Sequence, residues 1–266
     1  MTRTHVVTGS ASGVGAAVAH ALRHRGDRVI GVDLRDAEVT ADLSTPQGRA
    51  SAVDAVIESS GGTIDTVIAC AGISAPKPLT IAVNYFGVVD VLVGLLPALA
   101  KSDAPRAAVV SSMATLQRNS PELVDACLAH DEERALSIAA DLAEQGPGVG
   151  YLAYPSSKRA LSRWVRQESI TAQWAGAGIA LNAVAPATVL TEMTRELLST
   201  PESIAMVDDA VPMPLNYHQS PESVAELLIW LTSETNTHVT GQTIYCDGGA
   251  DASLRGNDIW GWADSV

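Results

Sequence analysis

The segment from His5 to Asp33 constrains this chain more than any other. A β-branched run, His5 to Thr8, leads into glycines at Gly9, Gly13 and Gly15. Apolar residues then fall at Val14, Ala17, Val18, Ala21 and Leu22, the spacing of one helix face. Gly26 stops that helix, and Arg28 to Val32 reads as a second strand ending at Asp33. Strand, glycine turn, helix and strand in this order form a physical device. The glycines let backbone N–H groups approach a pyrophosphate at the helix N-terminus, where the helix dipole favours negative charge. An acid about 20 residues past the turn, here Asp33, accepts hydrogen bonds from a ribose diol. It also repels a 2′-phosphate, so the unit predicts NAD in preference to NADP. Arg35 is the counter-signal, because a nearby arginine can serve a 2′-phosphate.

The alternation continues along the chain. Glu38 to Leu43, Ile64 to Cys70, Ala107 to Ser111, Ile179 to Val184 and Thr243 to Cys246 read as strands. Pro46 to Ser60, Pro78 to Leu99 (with Pro97 marking its end), Tyr154 to Trp174 and Pro221 to Thr232 read as helices. Strands alternating with helices predict one α/β domain over residues 1–266, doubly wound, with a mainly parallel sheet and helices on both faces. Hydrophobic residues make up 47% of the chain and aromatics only 4%, which suits strands buried on both sides. Two segments break the rhythm. Residues 118–150 read as one or two amphipathic helices inserted before the Tyr154 helix. Residues 186–217 follow a strand's C-terminal end, where such sheets bind ligands. Their apolar side chains, Met193, Leu197, Leu198, Met206 and Met213, suggest a lid over a hydrophobic substrate or ordinary packing.

A formal net charge of −13 disfavours nucleic acid and anionic lipid as partners. Cys70, Cys127 and Cys246 form no CxxC pair and are odd in number, which fits a reducing compartment. No signal peptide precedes the first strand, and the apolar run Val88 to Ala100 holds Asp90 and Pro97 and is too short to span a bilayer. The expectation is a soluble, cytoplasmic protein. His20 and His24 share a helix face without a third ligand, so no metal site is expected. The run His130 to Arg134 reads as solvated charge. Trp260 and Trp262 read as a tail packed on a partner subunit, over the pocket, or in the core.

The motifs resemble those of the short-chain dehydrogenase/reductase family. Its TGxxxGxG stands as Thr8 to Gly15, its YxxxK as Tyr154 to Lys158, and its strand-end serine as Ser112. The Asn of its NxxG matches Asn84, and its C-terminal TGQxxxxDGG runs from Thr240 to Gly249. Within the family the chain looks most like bacterial 3α-hydroxysteroid dehydrogenase/carbonyl reductases, through "GVDLRDAEVTADLSTPQGR", "VNYFG" and the long segment between Ser112 and Tyr154. Two positions depart from the pattern: Cys70 stands for an asparagine of NNAG, and Ala187 for the glycine of PGxxxT.

The resemblance implies a Rossmann fold and NAD as cofactor. It places Gly9, Ser12, Gly13, Val14, Gly15, Asp33, Leu34, Ala71, Gly72 and Pro186 around the cofactor. Asp42 and Leu43 would flank adenine, and Val189 and Thr191 would hold the carboxamide. It also implies a homo-oligomer, dimer or tetramer, and a small hydrophobic alcohol or ketone as substrate, steroids first and aryl compounds second. A non-catalytic NAD(H) sensor and an NADP-dependent carbonyl reductase are the alternatives. An intact Ser112, Tyr154 and Lys158 set argues against the sensor.

Residues four apart on a helix share a face, so Tyr154 and Lys158 can project into one cleft. A free phenol has a pKa of about 10 and is a poor base near neutrality. A neighbouring ammonium favours the phenolate, and a depression of about 2–3 units corresponds to about 3–4 kcal/mol. Tyr154 would then remove the hydroxyl proton while Ser112 holds the oxygen. By resemblance, Lys158 also holds the nicotinamide ribose, and Asn84 holds a water that relays protons.

Overall fold

The computed structural model of the chain describes residues 2–261. Seven strands form a single sheet: β1 (Thr4–Thr8), β2 (Arg28–Asp33), β3 (Val39–Thr40), β4 (Thr66–Ala69), β5 (Arg106–Val110), β6 (Ala180–Pro186) and β7 (Thr243–Cys246). Their spatial order is β3-β2-β1-β4-β5-β6-β7, and every pairing is parallel. The chain runs outward from β1 to β3, then crosses back to lay β4 on the other side of β1. The C-terminal ends of β1 and β4 therefore border a crevice at the point where the winding reverses, which is where sheets of this kind bind ligands. This is the expected doubly wound Rossmann architecture.

Successive residues of β1 supply opposite faces, as strand geometry requires. Val6 joins a core with Ile30, Val67, Val109 and Leu181, covered by helices Pro46–Ser60, Leu79–Leu99 and Ala153–Glu168. Val7 joins the opposite core with Ile68, Ala108 and Val184, covered by helices Gly13–His24 and Pro221–Leu231. The element ends follow local chemistry. Thr45 caps the Pro46–Ser60 helix by accepting the Gly48 N–H at 3.0 Å, and Gly61 closes it with φ 72°.

Four expectations need correction. The strand expected over 38–43 pairs only through Val39 and Thr40, opposite Val32 and Asp33. The Tyr154 helix ends at Glu168 rather than Trp174, because the Thr171 hydroxyl donates to the Glu168 carbonyl at 2.8 Å and turns the chain. Trp174 then folds back, fully buried, edge-on to Trp164 at 5.9 Å. Pro97 does not end its helix, which runs to Leu99 with the proline inside its last turn. That helix, Leu79–Leu99, is also longer than the run read as too short to span. Its 21 residues are long and apolar enough to cross a membrane, but its most apolar window is 67% buried inside the fold. Burial, rather than length, marks it as a core helix.

The 118–150 insertion forms helices Pro121–Leu128 and Glu132–Glu144 and a short helical turn, Pro147–Gly150. Leu123, Cys127, Ala135 and Ala139 bury its inner face against the core. Residues 186–217 hold a 3₁₀ turn, Glu192–Thr194, and the helix Pro201–Ala210, which buries none of its residues. Trp260 is 63% exposed, so it is not a core residue, and Trp262 lies outside the described residues.

Candidate active site

The glycine turn is built by close backbone approach. A Cβ on Gly15 would lie 2.1 Å from the Gly9 carbonyl oxygen, and one on Gly9 would lie 2.8 Å from the Ala71 nitrogen. Gly9 and Gly13 also take φ of 68° and 52°, the left-handed region that side chains resist. Ser12 sits at the N-cap of the Gly13–His24 helix in extended conformation and makes no side-chain cap. The N–H groups of the first turn are thus not spent on a side-chain cap, and they suit a pyrophosphate.

Asp33 ends β2 at the rim of the same cleft. Its Oδ2 accepts the Ala11 N–H at 3.0 Å and its Oδ1 accepts the Leu34 N–H at 2.7 Å. The carboxylate therefore braces the glycine turn while keeping lone pairs for a diol. Arg35 lies outside the cleft lining, its exposed side chain 4.0 Å from Asp36. Asp42 accepts the Ser44 N–H at 2.9 Å, and hydrogen bonding from Ser44 holds its carboxyl below the usual carboxylate range.

The cleft, of about 480 Å³, runs from this rim to the C-terminal ends of β4 and β5. Gly9, Ser12, Gly13, Val14, Gly15, Asp33, Leu34, Asp42, Leu43, Ala71, Gly72, Pro186, Val189 and Thr191 all line it, together with Ser112, Tyr154 and Lys158. Its glycine cradle, uncapped helix end and rim carboxylate fit a dinucleotide. Ser112 follows β5 and begins a 3₁₀ turn, with its Oγ accepting the Ala114 N–H at 3.1 Å. Tyr154 and Lys158 come from one face of the Ala153–Glu168 helix. That helix is pinned to the end of β5 through Ser111, whose hydroxyl meets the Ser162 hydroxyl at 2.7 Å.

In this setting the charges differ from the expected depression of the phenol. Burial raises the Tyr154 phenol above its ordinary value, against the opposing pull of the Ser112 hydroxyl. Burial also lowers the Lys158 ammonium to about 8. Desolvation penalises both charged forms and here outweighs the Ser112 hydrogen bond at the phenol and the influence of Cys70 at the ammonium.

The family model described as Enoyl-(Acyl carrier protein) reductase matches residues 9–251. A 3-alpha-hydroxysteroid dehydrogenase/carbonyl reductase from Comamonas testosteroni is 36% identical over 255 residues, covering 94% of this chain and 97% of its own. The chain belongs to the short-chain dehydrogenase/reductase family. A solved 3-alpha-hydroxysteroid dehydrogenase from Pseudomonas sp. B-0831, complexed with NADH, superposes with a TM-score of 0.87 at 38% identity, covering 96% of this chain and 100% of that one. An L-rhamnose 1-dehydrogenase (NAD(P)(+)) from Azotobacter vinelandii is 30% identical over 95% of this chain and 98% of its own. As a short-chain dehydrogenase/reductase, the protein is an NAD(P)-dependent oxidoreductase of alcohol and ketone substrates.

One expected residue of this short-chain dehydrogenase/reductase does not reach the cleft surface. Asn84 is fully buried in a π-helical turn, Ala82–Phe86. Its Oδ1 accepts the Ile73 N–H at 2.8 Å, and its Nδ2 donates to the Ile73 carbonyl at 2.9 Å and to Ser157 Oγ at 3.2 Å. The side-chain amide thereby fixes the loop after β4. Gly72 separates it from the cleft: a Cβ there would lie 3.3 Å from Asn84 Oδ1 and 3.5 Å from Lys158 Nζ. Cys70, the departure from NNAG, lines the cleft as a neutral filler, its thiol pushed up to about 12 by burial.

Lining residues that sequence reasoning missed include Ile73, Leu79, Val83, Val110 and Ser111. Val110 ends β5 at the crevice and Ser111 follows it, so the strand end carried that signal. Leu79 and Val83 are four apart on one helix face, but the same spacing serves core packing equally well.

Proposed function

We propose that the protein is an NAD-dependent dehydrogenase and ketone reductase of a bulky hydrophobic secondary alcohol, with Tyr154 as its acid and base. The observation that carries this reading is the shared wall of the cleft: Ser112, Tyr154 and Lys158 stand together at the strand ends, with Asp33 at the far rim. Bound oxidised nicotinamide would supply the acceptor for hydride from the carbinol carbon and a positive charge that favours the phenolate. The Ala114 N–H occupies a lone pair of Ser112 Oγ, so the Ser112 hydrogen is free to donate to the substrate oxygen. Tyr154 takes the hydroxyl proton from the same oxygen, and returns it when a ketone is reduced. Lys158 donates to the Val110 carbonyl at 2.9 Å, which fixes its Nζ over the Tyr154 ring, 5.8 Å from its centre.

NAD is preferred because Asp33 directs negative charge at the ribose position while Arg35 stays outside the cleft. The NADH in the Pseudomonas relative is in keeping with this. A hydrophobic substrate suits the cleft at Met193, which lines it and is 46% exposed. Steroids come first, in keeping with the names of the two hydroxysteroid dehydrogenase relatives, and aryl alcohols second. The test is turnover of steroid, aryl and short aliphatic alcohols with NAD⁺ and with NADP⁺, followed by absorbance of the reduced nicotinamide. The reading expects NAD⁺ with a bulky alcohol to give the highest kcat/KM. A clear preference for NADP⁺, or for short aliphatic alcohols, would overturn it.

A further inference from the structure

A buried arginine ties the inserted helices to the back of the cleft. Arg49, on the Pro46–Ser60 helix, is 2% exposed. Its guanidinium forks onto Glu132, with Nη1 at 3.0 Å from Oε1 and Nη2 at 2.5 Å from Oε2. Its Nε faces Asp90 Oδ2 at 2.8 Å, an ion pair out of line for a hydrogen bond. Asp90 Oδ1 in turn meets His130 Nε2 at 3.0 Å. Asp90 belongs to the Leu79–Leu99 helix, and both His130 and Glu132 belong to the 118–150 insertion. Taking a guanidinium out of water is costly unless it is paired, so the arginine and the insertion need each other.

The same guanidinium touches the cleft from behind. Arg49 Nη1 donates to the Leu43 carbonyl at 3.5 Å, the long limit of a hydrogen bond. Leu43 is closed in from the other side, where a Cβ on Gly87 would lie 3.0 Å from its carbonyl oxygen. A Cβ on Gly48 would likewise lie 1.9 Å from the Asp42 carbonyl oxygen. Asp42 and Leu43 therefore have no slack of their own, and their position follows the helix that bears Arg49.

We propose that the insertion serves coenzyme binding: Glu132, through Arg49, is a positioning residue for the adenosine end of the cleft at Asp42 and Leu43. This rests on the reading of the cleft as a dinucleotide site. It gives the insertion a task that its packing alone does not require. Only the adenosine half of the coenzyme would feel the network, because Tyr154 and Lys158 sit on a different helix.

Calorimetric binding of AMP, nicotinamide mononucleotide and NAD⁺ to the full chain tests this. Glu132→Gln keeps the shape and removes the charge, at a side chain 23% exposed, and Arg49→Lys keeps the charge and removes the fork. Both are expected to weaken AMP and NAD⁺ by the same factor, about five- to tenfold, and to raise the coenzyme KM with kcat at saturation little changed. Nicotinamide mononucleotide should bind as it does to the unaltered chain. Glu122→Gln breaks only the exposed Glu122–Arg134 pair of the same insertion and should bind all three ligands normally. Circular dichroism verifies that each variant is folded, and if Arg49→Lys is not, Glu132→Gln decides alone. A folded Glu132→Gln with unchanged AMP affinity, or with its loss confined to nicotinamide mononucleotide, overturns the proposal while leaving the cleft reading intact. An unaltered chain that binds neither AMP nor NAD⁺ overturns both.

Discussion

Lys158 directs its Nζ at the Val110 carbonyl, 2.9 Å away, while lying 5.8 Å from the centre of the Tyr154 ring. One backbone acceptor is little compensation for lost water, which is why burial holds the ammonium at about 8 instead of 10.5. The unfolded chain binds the Lys158 proton throughout that window while the folded chain has released it. Stability contributed by this site therefore rises with pH from about 8 towards 10.5. Tyr154, raised by burial, keeps its proton in the fold and opposes the rise once free phenols ionise at about 10. Denaturant unfolding of the coenzyme-free chain and of Lys158→Met, measured from pH 7 to about pH 10, isolates the lysine. The wild-type chain should gain stability relative to the variant as pH rises. A flat difference would mean that the ammonium is not desolvated.

The proton chemistry predicts a separation of binding from turnover. Tyr154→Phe keeps the ring against Tyr151, 5.9 Å away, and removes only the hydroxyl. It should lower kcat by about 10²–10⁴ with coenzyme affinity near wild type. Ser112→Ala should cost about 10²–10³, since one donor to the developing oxyanion is lost. Alcohol oxidation by the unaltered chain should accelerate with pH, because the raised phenol must ionise to act as a base. Stopped-flow turnover with coenzyme titration separates these quantities. Wild-type turnover in Tyr154→Phe would refute the assigned base.

The site was legible where chemistry repeats locally. The glycines from Gly9 to Gly15 carry their meaning in spacing, because a Cβ at two of them would strike backbone. Tyr154 and Lys158 are one helical turn apart, so their shared helix face was legible, and Thr243 to Cys246 is bounded by turn residues, so that strand's limits were correct. What was not legible depends on partners distant in sequence. Asn84 spends its amide on Ile73 and Ser157, and no local pattern announces either bond. Arg49 meets Glu132 across 83 positions, so a run that read as solvated charge contains an ion pair to a buried guanidinium. In the coenzyme-free chain the phenol's shift runs opposite to the expected direction for the same reason. Sequence places a cation beside Tyr154, but only the fold shows how completely both are desolvated.

Coenzyme choice should follow Asp33. Its carboxylate carries negative charge at the rim and also accepts the Ala11 N–H of the glycine turn. Asp33→Asn retains an acceptor for that bond and removes the charge, whereas Asp33→Ala removes both. Asn should raise the NAD⁺ KM by about tenfold, the scale of one charged hydrogen-bonding partner, and lower that for NADP⁺. Ala should weaken both coenzymes further as the turn loosens. Steady-state kinetics with each coenzyme measures the ratio, and an unchanged ratio in Asp33→Asn would remove the carboxylate from the selectivity argument.

Substrate size should be read by Met193. This side chain lines the cleft from the 3₁₀ turn Glu192–Thr194, yet remains 46% exposed. The turn is itself anchored, because the Thr194 hydroxyl donates to the Val189 carbonyl at 2.5 Å. The methionine therefore projects from a fixed base, with apolar surface that an apolar substrate would cover. Covering about half of such a side chain is worth about 1–1.5 kcal/mol, or about tenfold in affinity. Met193→Ser should thus reduce kcat/KM for a steroid or aryl alcohol by about tenfold, through KM. The same variant should leave a three-carbon alcohol nearly unaffected, since a small substrate held at Ser112 and Tyr154 does not extend to the rim. Parallel kinetics on the two alcohols make the comparison, and equal losses on both would show that Met193 shapes the turn instead of meeting the substrate.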